Sequence, residues 1–111
     1  MAETYFVSLD MKSAADLIDD TVLGDSFTGE RIDQYSADAP GGGSLVMLVY
    51  EKNYMRAGNR LTLTVLLDDY AGHTRVHTVS GGGGEGLFRF DWGAAEDFEK
   101  VVADALAQWR L

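Results

Sequence analysis

Three of the nine basic residues of this chain, Lys52, Arg56 and Arg60, lie close together, with Tyr50 and Tyr54 between and beside them. Guanidinium forks suit a carboxylate or a phosphate, and a tyrosine ring adds a stacking surface. Lys52, Tyr54, Arg56 and Arg60 therefore mark the place to expect a small anionic ligand or an acidic partner surface. A plainer reading stands beside it. These cations pair with some of the eighteen acids, and such surface pairs contribute only ~0–1 kcal/mol each.

Gly81-Gly82-Gly83-Gly84-Glu85-Gly86 is the second motif, and Gly81, Gly83 and Gly86 satisfy G-x-G-x-x-G literally. A dinucleotide site needs a strand before that motif, a helix directly after it and an acid about twenty residues on. Here Leu87-Phe88-Arg89-Phe90 follows and reads as a strand. The run is read as a glycine-rich loop, either structural or a nest of N–H groups for an anion. Trp92 lies just beyond it, as core filling or as a ring that stacks on a ligand.

Asp68, Asp69, His73 and His77 raise the question of a metal or an acid–base pair. On one strand His73 and His77 would be about 13 Å apart at ~3.3 Å per residue, too far for a single ion. No metal site or cofactor is expected. The chain lacks cysteine, G-x-S-x-G and H-E-x-x-H, so no catalytic residue is assigned.

Three functions are compatible with these residues. The first is a non-catalytic binding or interaction module using the basic cluster. The second is a structural homo-oligomer, a homodimer in its simplest form, built through an edge strand or a second sheet face carrying Leu66 and Phe6. The third is a small enzyme on an anionic metabolite, with His73 or Asp69 as acid or base and Arg56 and Arg60 holding the substrate.

The elements that would position these groups follow from periodicity. Tyr5, Val7 and Leu9 alternate as in a strand. Ser13 suits a helix cap, with Ala14, Leu17 and Ile18 on one helical face. Arg31 to Tyr35 reads as an edge strand burying Ile32 and Tyr35. Leu45–Tyr54 and Leu61–Leu67 read as strands joined by a turn at Ala57-Gly58-Asn59. A turn at Tyr70-Ala71-Gly72 leads to a further strand from Thr74 to Ser80. Phe98, Val101, Val102, Ala105, Leu106 and Trp109 form an apolar helical stripe, with Glu96, Glu99 and Lys100 on the solvent side. The expectation is one α+β domain over residues 1–111. It is a two-layer sandwich, an antiparallel sheet of about five strands with two helices on one face, in the order β-α-β-β-β-β-α.

Composition sets the outer bounds. Hydrophobic residues make up 46% of the 111, as in a folded domain. A formal charge of −9 opposes phosphate backbones and anionic bilayers, so neither nucleic acid nor membrane is expected as a partner. The opening Met1-Ala2-Glu3 lacks the positive start of a secretory signal, so a cytoplasmic location is expected.

Three stretches resemble a family of small uncharacterised bacterial proteins, the domain of unknown function numbered 6054. They are Tyr50–Arg60 (YEKNYMRAGNR), Ser80–Gly83 (SGGG) and Phe90–Phe98 (FDWGAAEDF). The resemblance implies a compact α+β domain over nearly the whole chain, and no activity, cofactor or catalytic residue.

Overall fold

Leu61, Leu63, Val65 and Leu67 are all fully buried, as their alternation requires. They form the central strand of the computed structural model, which describes residues 2–24, 29–54, 59–83 and 92–111. The elements are β1 (Ala2–Val7), α1 (Met11–Gly24), β2 (Gly29–Asp38), β3 (Ser44–Tyr54), β4 (Asn59–Asp68), β5 (Thr74–Gly83) and α2 (Trp92–Leu106). A 3₁₀ turn at Ala107–Trp109 closes α2. The expected α+β order and antiparallel five-stranded sheet are thus observed.

Strand order is β1-β5-β4-β3-β2. Each of β2 to β5 pairs antiparallel with the strand next to it in sequence, which makes a meander, and β1 joins its far side against β5. The register sorts every side chain to one of two faces. On the covered face Tyr5 lies opposite Val76, Val76 opposite Leu67, and Leu67 opposite Val46. Ala14, Ile18 and Val22 of α1 and Phe98, Val102 and Leu106 of α2 complete that core. The other face carries, along one row, Thr4, His77, Leu66, Met47 and Tyr35. No described helix lies over it; this is the open face.

Local chemistry shifts some boundaries from the sequence reading. The cap of α1 is Asp10 rather than Ser13. Its Oδ2 accepts the Ser13 N–H at 3.2 Å and its carbonyl accepts the Ala14 N–H at 2.9 Å, so the helix begins at Met11. The Ser13 hydrogen bonds hold the Asp10 carboxyl below the usual carboxylate range. In β2 the register slips between Arg31 and Asp33. Ile32 is the extra residue of a β-bulge, and both Ile32 and Tyr35 are exposed, at 48% and 57%. The expectation that they are buried is corrected: the register puts Tyr35 on the face opposite the helices, and Ile32, as the bulged residue, falls outside the pairing.

Candidate functional site

Sequence proximity does not bring Lys52 and Arg60 together on one surface. Lys52 of β3 lies opposite Leu61 of β4, on the covered face, and its Nζ sits 5.6 Å from the centre of the Phe98 ring. Arg60 directly precedes Leu61, so it points to the open face. There its Nε is 3.2 Å from a Glu51 carboxylate oxygen. Lys52 and Arg60 thus project to opposite sides of the sheet. Arg56 lies outside the described residues, as does the side chain of Tyr54.

Gly81, Gly82 and Gly83 are strand rather than loop, the last residues of β5. They pair with Thr62, Leu61 and Arg60 of β4. Gly82 has φ of +110°, and a Cβ there would collide with the Arg60 carbonyl and the Leu61 Cα. Close backbone approach explains this glycine without a ligand. Gly84 and Gly86 fall outside the described residues, as does the suggested strand Leu87–Phe90. Trp92 is the first residue of α2, and its side chain lies outside the described set.

The acid–base candidates are dispersed too. Asp69 Oδ1 accepts the Ser44 N–H at 2.7 Å, tying the turn after β4 to the start of β3. His73 is exposed at the head of β5. Arg60 pairs with Gly83 at the other end of that strand, roughly 30 Å away at ~3.3 Å per residue. The enzyme reading that joins His73 to Arg60 is therefore not assembled here. His77 Nδ1 meets Thr4 Oγ1 at 2.6 Å, again on the open face. Among the described residues no group of three or more His, Asp or Glu side chains is set to hold a metal ion.

One polar site escaped the sequence reading. Glu99 of α2, expected at the solvent side, is only 7% exposed. Its two carboxylate oxygens each accept a hydroxyl hydrogen bond at 2.9 Å, one from Thr78 and one from Ser80. Those hydroxyls lie on the covered face of β5, where alternation places Val76, Thr78 and Ser80 together. The signal was the Thr-x-Ser spacing on the same side of the strand as Val76. Glu99 also borders an open groove of about 380 Å³ between the start of β1 and α2, with Glu3, Glu96, Lys100 and Asp104.

The open face carries a row of partly exposed apolar side chains. Leu66, Met47, Val49 and Phe6 are half-buried, and Val79 and Tyr35 are exposed. Its charges occur largely as internal pairs. Arg75 grips Asp68 with Nε and Nη2, at 3.0 Å to Oδ2 and 2.9 Å to Oδ1. The guanidinium holds the Asp68 carboxyl below the usual range. Glu51 and Arg60 make the second pair. Glu30 and Asp33, on the edge strand β2, are the remaining acids of that face by register.

Comparison with known proteins gives one match. The model of a family of unknown function, DUF6054, matches residues 1–110. No match was found among curated proteins or among solved structures. The chain belongs to the DUF6054 family.

Proposed function

We propose that this member of the family is a non-catalytic interaction module that recognises a partner protein through the open face of its sheet. The observation that carries the reading is the row Tyr35–Met47–Leu66–His77 with its apolar neighbours Val49 and Val79, left uncovered by the helices. Apolar surface of this kind, with leucine and methionine near its centre and aromatic side chains toward its edges, suits a protein interface. Its charge pattern supports the same reading. The chain carries −9 overall, whereas Arg75 and Arg60 neutralise Asp68 and Glu51 on this face. A partner protein thus meets little of the repulsion that the rest of the surface presents, and phosphate-rich polymers find no concentrated positive field.

The test is affinity capture on immobilised protein, followed by titration of the recovered partner into pure wild type and into Leu66→Asp. A charge at the centre of the face should abolish binding. A partner that binds Leu66→Asp as tightly as wild type overturns the reading. So does a thermal-shift hit from a sugar phosphate, nucleotide or carboxylate that disappears in an Arg56→Gln/Arg60→Gln double variant, since that result returns the function to the basic cluster. A ligand present at a hundred times its Kd would add roughly 2.7 kcal/mol, a shift such a screen detects.

A further inference from the structure

The ends of a sheet expose backbone N–H and C=O groups that can template another strand. Here the two ends differ. The outer edge of β1 is partly occupied by the segment after α2. Ser8 N–H donates to the Trp109 carbonyl at 2.8 Å, and Leu111 N–H donates to the Phe6 carbonyl at 2.9 Å. At the other end β2 has only β3 beside it among the described residues. It is 10 residues long, and Glu30 to Ser36 are all exposed. Its sequence GERIDQYSAD contains neither lysine nor proline, two residues that commonly blunt an edge. The bulge at Ile32 lies near one end and leaves Asp33 to Asp38 in regular register.

We propose that β2 pairs antiparallel with β2 of a second copy of this chain, about a twofold axis perpendicular to the sheet. Two five-stranded sheets then become one continuous sheet. Such an axis keeps each face on its own side, so residues set opposite one another must share a face. Beyond the bulge Asp33, Tyr35 and Ala37 belong to the open face, and Gln34, Ser36 and Asp38 to the covered face. The axis must therefore pass through a residue. At Asp33 it would set carboxylate against carboxylate, which opposes pairing. At Gln34 it would leave Arg31 opposite an uncharged serine. At Ser36 only half of the 10-residue strand would pair, and at Ala37 less still.

Tyr35 satisfies every condition. Tyr35 meets the partner's Tyr35, Gln34 meets the partner's Ser36, and Asp33 meets the partner's Ala37. Because Ile32 is an extra residue, Arg31 comes level with the partner's Asp38 on the covered face. Aromatic and opposite-charge pairs are the cross-strand combinations that stabilise a sheet. Both charges have capacity to spare. Arg31 spends Nη1 on Asp19 at 2.9 Å and keeps further N–H donors, while Asp38 accepts the Ser44 hydroxyl through Oδ1 at 2.7 Å and has a second oxygen.

The chain contains no cysteine, so single cysteines report the contact without background. Directly opposed Cα atoms in an antiparallel pair are about 4.5–5.5 Å apart, within the span of a disulfide. Tyr35→Cys should therefore cross-link two chains under mild oxidation. Ala37→Cys should not, because its symmetry mate lies four residues along, about 13 Å at ~3.3 Å per residue. Light scattering of the unmodified protein should give twice the 12.1 kDa chain mass. Arg31→Asp should weaken the dimer about tenfold, and adding Asp38→Arg should restore it. A single-chain mass at micromolar concentration overturns the proposal, and so does a dimer in which Tyr35→Cys stays reduced. The pairing goes beyond the open-face reading and fails separately from it: Leu66→Asp should leave this dimer intact.

Discussion

On β4, Leu63 is fully buried beneath the helices, while Leu66 is only half-buried on the other side of the same strand. The two faces of the sheet are built from identical backbone, and they solve different problems. The centre of the covered face is apolar, and its buried Thr78, Ser80 and Glu99 satisfy one another. It binds the domain together. The open face mixes apolar side chains with paired charges and hydrogen-bonded polar groups. Its apolar side chains are less buried, and on the proposal above it meets another surface. Alternation of side chains lets one strand serve both purposes, because a change on one face hardly disturbs the other.

The sharpest way to break this comparison is to truncate the same residue type on both faces. Leu63→Ala should destabilise the fold by ~2–5 kcal/mol, and Leu66→Ala by under about 1 kcal/mol, measured by denaturant unfolding. Equal losses would mean that the open face is part of a core. Glu99→Ala should lower stability by ~2–3 kcal/mol, since two buried hydroxyls lose their acceptor. Glu99→Gln should restore most of that, because the amide still offers an oxygen to one hydroxyl and an N–H to the other. Neighbouring glycines give a third contrast. Gly82→Ala, at positive φ and against the β4 backbone, should lose roughly 1–3 kcal/mol. Gly81→Ala meets nothing within 4 Å and should be nearly silent by the same assay.

Tyr50→Phe removes a phenol that donates to Asp19 at 3.0 Å and should lower stability by ~1 kcal/mol. Burial, then the Asp19 charge, pushes that phenol above the ordinary tyrosine range. A raised folded value gives stability that is complete below the unfolded value of about 10 and is lost as pH rises through the folded one. The gap between wild type and Tyr50→Phe should therefore narrow in strong alkali. The smallest effect belongs to the open face. Asp68 is depressed by Arg75, so its contribution is present above the unfolded value of about 3.9 and lost as pH falls through the folded one. The stability difference between wild type and Asp68→Asn should close in acid and stay level near neutrality.

Much of the scaffold was legible from single-strand and single-helix periodicity. Leu61 to Leu67 and Phe98 to Leu106 each reveal their buried stripe without reference to any other segment. What depended on register was not legible. Lys52 and Arg60 look adjacent in sequence, and only the pairing of Lys52 with Leu61 reveals that they lie on opposite faces. Ile32 looks like a core residue until the slip between Arg31 and Asp33 is known. Glu99 reads as solvent-facing because its partners Thr78 and Ser80 sit on β5, away from its own helix, and a hydrophobic pattern cannot report a hydrogen bond. For the same reason the open face, assembled from strands that are separate in sequence, does not exist as a sequence motif.

The pairing of β1 with β5 also has a kinetic side. Strands β2 to β5 each close against the strand next in sequence, so their pairings join segments that are near one another in the chain. Ala2, by contrast, waits for Val79, and Val7 is bridged by Arg110. During synthesis β1 emerges long before either partner and spends that interval as an unpaired apolar segment. On topological grounds the expected slow step in reaching the native state is that one long-range closure, after the meander exists. Until then the growing chain is most exposed to association with its neighbours on the ribosome.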